Sequence, residues 1–155
     1  MQLSTKGRYA VMAIIDVARW GDLRPVSLGE IATKQDISLA YLEQLFMKLR
    51  RNGIVRSVRG PGGGYVLSRN PREITIGEIM AAVDEPIKMT RCAGEGAEGC
   101  IAARRCTTHN LWQALGDHIG AFLNRTTLRD VLDGAYASDF VVAASAQDDR
   151  CEVVP

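Results

Sequence analysis

The sequence predicts a mainly α-helical fold with one small β-hairpin (α+β), a winged helix-turn-helix followed by a long dimerisation helix. Three observations predict it. Apolar residues recur at helical spacing in several stretches. Ser-x-x-Glu and Thr-x-x-Glu boxes mark helix starts at Ser27 and Thr75. Two β-prone runs, IVRSVR and GYVLSR, are joined by GPGGG, where proline and glycine exclude helix.

The elements follow in order. Ser4 or Thr5 caps a helix over about 6–20, with Val11, Ile14, Ile15 and Ala18 on one stripe. After the turn DLRPVS, the Ser27–Glu30 box opens a short helix from Leu28 to about Lys34. Gln35, Asp36 and Ile37 form a tight turn, and Ser38 caps the next helix, LAYLEQLFMKLRRNG. That helix is expected to bury Leu39, Leu42, Leu45, Phe46 and Leu49, and Gly53 stops it as a left-handed cap. The hairpin comes next, then the Thr75–Glu78 box and the apolar helix IGEIMAAVDE, which Pro86 ends. A longer helix extends from about Thr107 to Asn124, and TLRDVLDG forms a short last one. The expected organisation is a DNA-binding unit over 1–85, a cysteine-rich loop over 86–106, two helices over 107–134 and a disordered tail over 135–155.

Two short helices joined by a tight turn, with a hairpin behind them, describe a DNA reader. Its second helix would enter the major groove by its N-terminal end, where Ser38, Ala40, Tyr41, Glu43, Gln44 and Lys48 lie. Glu43 can accept from a cytosine amino group, and Gln44 can read an adenine edge. Lys48, Arg50 and Arg51 suit phosphates. The wing adds Arg56 and Arg59 beside Gly60, and its glycine tip permits close approach to a DNA backbone. GPGGG lacks the Lys-Ser/Thr of a phosphate loop, and no helix follows it as a dinucleotide fold requires.

Charge supports a polyanion partner for the first half. The net charge is +1, yet residues 1–72 hold 12 Lys and Arg against 5 Asp and Glu, and the remainder holds 7 against 13. The apolar N-terminal stretch is interrupted by Asp16 and Arg19 and lacks a small-residue cleavage site, so it reads as a cytoplasmic helix rather than a signal peptide. No run approaches the roughly 18–20 apolar residues a membrane helix needs.

Leu111, Trp112, Leu115, Ile119, Phe122 and Leu123 form an apolar stripe on the long helix. Its natural partner is a second copy of the chain, giving a homodimer whose two reading helices address two half-sites. Part of the stripe is also expected to pack on the first helix, with Trp112 and Trp20 sharing a cluster.

The segment RCAGEGAEGCIAARRCTTH spaces Cys92, Cys100, Cys106 and His109 as C-x7-C-x5-C-x2-H. Cys106 and His109, three apart at a helix start, can face one centre, and Gly94, Gly96 and Gly99 let the loop fold around it. Nothing resembles an oxyanion arrangement, so a catalytic thiol and an enzyme are not indicated. A reducing compartment and the odd number of cysteines within this segment disfavour disulfides. Zinc on a Cys3His set and an iron–sulfur cluster both remain open on spacing alone.

Five stretches carry a resemblance: LSTKGRYAV, ISLAYLEQLF, LRRNGIVRSVRGPGGGYVL, IGEIMAAVDE and C-x2-H-x2-LW. Over about residues 1–134 the chain resembles the bacterial iron–sulfur cluster regulators of the IscR type, winged-helix transcription factors. The resemblance implies a cytoplasmic, nucleoid-associated homodimer with one [2Fe–2S] cluster per subunit on Cys92, Cys100, Cys106 and His109. It implies cluster assembly or donor proteins as partners and repression of cluster-biogenesis genes when loaded. The cluster-free protein would bind other promoters, with Glu43 helping to discriminate. The nitric-oxide sensor of the same family carries a [4Fe–4S] cluster and lacks the matching histidine, so His109 favours the biogenesis regulator. The sequence departs from the family pattern in its longer Cys92–Cys100 loop, in Ala40 where serine is frequent, and in an additional Cys151.

Overall fold

The computed structural model describes residues 4–21, 23–85 and 107–135. Their elements run α1 (Thr5–Trp20), α2 (Leu28–Gln35), α3 (Leu39–Arg51), β1 (Val55–Val58), β2 (Gly64–Leu67), α4 (Ile76–Ala82), α5 (His109–Arg125) and α6 (Leu128–Asp133). The mainly α fold with one antiparallel hairpin is therefore as the sequence predicts.

Local chemistry sets the helix ends. Ser4 Oγ accepts from Gly7 N at 3.2 Å and caps α1. Ser27 and Glu30 complete a reciprocal capping box on α2, and Asp36, at φ +53°, turns the chain left-handed toward α3. Gly53 does the same after α3 at φ +70°. Thr127 and Asp130 form a second reciprocal box, on α6.

Five local expectations are corrected. The Ser38 side chain makes no cap bond. Leu39 is 46% exposed, because it opens α3 on the side turned from the core. Thr75 caps α4 by accepting from Glu78 N at 3.1 Å, but the Glu78 carboxylate pairs with Arg69 instead of closing the box. On α1 Ile14 and Ala18 are buried as expected, but Val11 and Ile15 are only half-buried, and Ala10, Ala13 and Val17 complete the core face, since small alanines admit the neighbouring helices. Trp20 and Trp112 are both largely exposed, which does not match a shared buried cluster.

One core joins α1, α3 and α4, with Ile14, Phe46, Leu49, Ile54, Ile74 and Ile79 fully buried. Each such side chain contributes roughly 1.5–3 kcal/mol relative to exposure. Leu128 of α6 closes the same core, held by the Thr75–Thr127 bridge and by Leu128 N donating to Ile74 O at 2.9 Å. Among the described residues one carboxylate is buried with it. Asp16 is 5% exposed and is held from α2 by Lys34 and by Gln35 Nε2.

The hairpin register pairs Val55 with Leu67, Arg56 with Val66, Ser57 with Tyr65 and Val58 with Gly64. Val26 adds a bridge to Tyr65, with Val26 N donating to Tyr65 O at 3.0 Å and Tyr65 N to Val26 O at 2.8 Å. Gly64 makes this approach possible. A Cβ there would lie 2.5 Å from the Val26 carbonyl carbon and 2.9 Å from Ser27 N.

Candidate nucleic-acid interface and metal centre

The buried face of α3 consists of Leu42, Leu45, Phe46 and Leu49. Its 3.6-residue period therefore places Ala40, Glu43, Gln44 and Met47 in solvent, with Ser38 at the exposed entry and Arg50 and Arg51 exposed near the end. Tyr41 differs from these. It is half-buried and meets Tyr9 edge to face, with ring centroids 6.1 Å apart, so it steadies α3 on α1 as well as bordering the reading face.

Lys48 is also engaged. Its ammonium binds the Asp84 carboxylate across 36 residues of sequence. The hydrogen bond to Asp84 raises the Lys48 pKa, and the same bond from Lys48 holds the Asp84 carboxyl below its usual range. Nearby, Asn52 Nδ2 donates to Lys48 O at 3.0 Å and to Ala82 O at 3.3 Å. Lys6 pairs with Glu85 at 3.7 Å. Residues 82–85 thus clasp the C-terminal end of α3 and the start of α1, directly before the cysteine segment. Asn52, Asp84 and Glu85 were not identified from sequence, where D-E before Pro86 signalled only a helix end. Asp84 sits at φ +59°, an uncommon conformation for a non-glycine residue.

The hairpin is fixed to α3 by Phe46 against Tyr65, with centroids 4.8 Å apart and planes at 61°. Arg59 and Gly60 are exposed at the tip, where Gly60 (φ +103°) and Gly62 (φ +72°) require glycine and Gly63 N donates to Gly60 O at 2.9 Å. Arg56 lies apart from them, at the base of the hairpin opposite Val66.

Of the four expected metal ligands, Cys92, Cys100 and Cys106 lie outside the described residues. His109 is described, and it is the one buried residue of α5, 6% exposed, with Nδ1 making no hydrogen bond. A buried imidazole nitrogen without a partner costs about 1–3 kcal/mol, and a ligand bond would remove that cost. This fits a neutral nitrogen donor. Thr107 and Thr108 form a turn and α5 begins at His109, two residues after the expected start near Thr107. Among the described residues, no three His, Cys, Asp or Glu side chains gather into a metal site.

None of the six stripe residues on α5 is buried. Leu111 is 61% and Trp112 42% exposed, while Leu115, Ile119, Phe122 and Leu123 are half-buried. Trp112 Nε1 donates to Thr108 Oγ1 at 3.2 Å. The other side of α5 meets α4 where Gly77 faces Asn124. No helix among the described residues is long and apolar enough to cross a membrane.

Comparison with known proteins gives a consistent result. A family profile described as Rrf2, iron-dependent transcriptional regulator, matches residues 3–134. The HTH-type transcriptional regulator IscR of Serratia proteamaculans is 49% identical over 148 residues, covering 96% of this chain and 87% of that one. Among solved structures, that of T. potens IscR superposes with a TM-score of 0.71 at 38% identity, covering 87% of this chain and 88% of its own. CymR, the global cysteine regulator of B. subtilis, superposes with a TM-score of 0.73 at 34% identity, covering 86% and 98%. Two differently named regulators share this fold, so the architecture by itself does not select a signal.

Proposed function

The chain belongs to the Rrf2 family of transcriptional regulators, and on that premise we propose that it is an IscR-type, iron–sulfur-sensing DNA-binding regulator acting as a homodimer. The observation that carries the sensing part is His109, buried with an unpartnered Nδ1 three residues beyond Cys106. Cys92, Cys100, Cys106 and His109 would hold one [2Fe–2S] cluster per subunit. When bound, the cluster supplies ligand bonds that exist only while iron and sulfide are available, delivered by assembly or donor proteins. One neutral imidazole among three thiolates lowers the negative charge of the site and raises its potential.

The remaining work belongs to this chain. Glu43 and Gln44 present hydrogen-bonding groups to base edges, and Arg50, Arg51 and Arg59 neutralise phosphates. Residues 82–85 carry the state of the cysteine segment to α3, because Asp84 holds Lys48 and Asn52 holds Ala82. A change in backbone position after Glu85 alters which anion Lys48 serves, Asp84 or a DNA phosphate. On this reading the loaded dimer represses cluster-biogenesis promoters and the cluster-free dimer binds a different set, with Glu43 contributing to the choice. The resemblance also implies a cytoplasmic, nucleoid-associated protein.

The test is iron and sulfide analysis of protein purified anaerobically, followed by footprinting with and without the cluster. Brown protein with two irons and two sulfides per chain, bound to separable promoter sets, is expected. Colourless protein holding one zinc per chain, or footprints identical in both states, would overturn the reading.

A further inference from the structure

A second basic site lies on the hairpin face turned away from α3. Cross-strand partners share a face, so Arg56 stands beside Val66, while Tyr65 on the other face packs against Phe46 of α3. Between the Val66 face and the end of α1 opens a cleft of about 520 Å³, walled by Arg56, Arg69, Arg72 and Arg129. Val17, Ala18 and Val66 lie beneath it almost wholly covered, so the surface of the cleft is mainly polar. No acidic side chain is among the described residues that line it.

Two of the four guanidinium groups are already compensated. Arg69 pairs with Glu78, and Arg129 pairs with Asp133 at 2.6 Å. Arg56 and Arg72 have no ion-pair partner among the described residues. The closest candidate for Arg72, Asp130, is turned to Thr127, whose N and Oγ1 donate to its Oδ2 at 2.8 and 2.7 Å. Two of the C-terminal carbonyls of α1, which would repel an anion, are occupied, since Gly21 N donates to Val17 O at 2.7 Å and Leu23 N to Trp20 O at 2.9 Å. The walls are fixed as well. Arg72 N donates to Asn70 Oδ1 at 3.0 Å, and Arg129 N to Pro71 O at 3.2 Å, tying the 70–72 turn to α6.

We propose that this cleft binds a phosphorylated small molecule of nucleotide size, its phosphates on Arg56 and Arg72 and its remaining polar groups against Asn70 and Arg69. Arg56, without an ion-pair partner among the described residues, and Arg72, offset only in part by Asp130, match about one to two negative charges, and a guanidinium fork engages phosphate oxygens bidentately. The volume falls within the roughly 300–1,000 Å³ of small-molecule sites. A concave site on the side away from α3 suits a free ligand better than a DNA backbone held by the exposed face of α3.

The experiment titrates ADP into isotope-labelled full-length protein at about 0.15 M salt, where surface attraction is largely screened, and follows backbone amide shifts. Saturable changes confined to residues 17–21, 56, 66–72 and 129 are expected, with Arg72→Gln weakening binding at least tenfold at an unchanged melting temperature. Arg72→Lys, which keeps the charge and loses the fork, weakens binding less and serves the same comparison if glutamine loosens the turn. Absence of saturation, shifts centred on α3 and the hairpin tip, or unchanged affinity in both variants would overturn the proposal. So would duplex DNA shifting the cleft amides while ADP leaves them unmoved, which would make the cleft a flank of the DNA surface.

Discussion

Replacing Gly64 by alanine separates the hairpin from the rest of the DNA-reading unit. The added Cβ would lie 2.5 Å from the Val26 carbonyl carbon and 2.9 Å from Ser27 N, both backbone atoms with no side-chain freedom to yield. The two strands must part by roughly an ångström, enough to break the paired bonds of 3.0 and 2.8 Å between Val26 and Tyr65. Each backbone bond contributes about 0.5–1.5 kcal/mol net, and Val26 is only 3% exposed, so its freed groups find water poorly. The expected loss is about 2–4 kcal/mol, or roughly 4–16 °C in melting temperature for a chain of this length. Gly62→Ala is the reference, because its Cβ would meet nothing within 4 Å and only its φ of +72° is strained. That strain costs about 1–2 kcal/mol. Circular-dichroism melts of the two variants check the argument, with gel shifts on a fixed duplex reading the contribution of the wing. Equal melting shifts for both, or a wild-type melt for Gly64→Ala, would refute it.

Three further outcomes are expected. His109→Leu removes the unpartnered buried nitrogen, so the metal-free protein melts higher than wild type while iron retention is lost; a lower melt, by calorimetry on metal-free samples, would contradict the orphaned-imidazole argument. Leu111→Glu and Trp112→Glu place charge on exposed positions of α5, so sedimentation should show monomer with an unchanged melt, and a persisting dimer would contradict the stripe as interface. Hydrogen bonds from Arg24 and then from Ser27 hold Glu30 at about 2 against an ordinary 4.5. A carboxyl depressed by folding stabilises above its unfolded pKa, so this contribution is complete above about pH 4.5 and disappears as pH falls toward about 2. Melting temperature against pH should therefore fall less steeply in Glu30→Gln across that window.

Legibility in the sequence followed the range of each interaction. The Ser27–Glu30 box, the Gly53 stop and the buried set Leu42, Leu45, Phe46 and Leu49 depend on neighbours within a turn or two, and periodicity exposes them. Leu39 was misplaced because periodicity does not say where the core ends along a helix. The exposed candidates Glu43, Gln44, Arg50 and Arg51 follow from the same period. Lys48 was legible as a cation but not as a paired one, since Asp84 is 36 residues away. Arg56 needed the strand register before its face could be assigned. The burial of His109 depends on tertiary packing around the first turn of α5, which spacing does not report.

The wet stripe on α5 has a consequence for gene dosage. With Leu111 and Trp112 in water, a lone chain carries an unmet hydrophobic demand that only mass action satisfies. On the dimeric reading, occupancy of a two-half-site operator rises with the square of chain number while monomers predominate. Halving the copy number then removes up to three quarters of the occupancy rather than half. A modest change in synthesis thus becomes a sharp threshold, set by two side chains outside the DNA-reading helix.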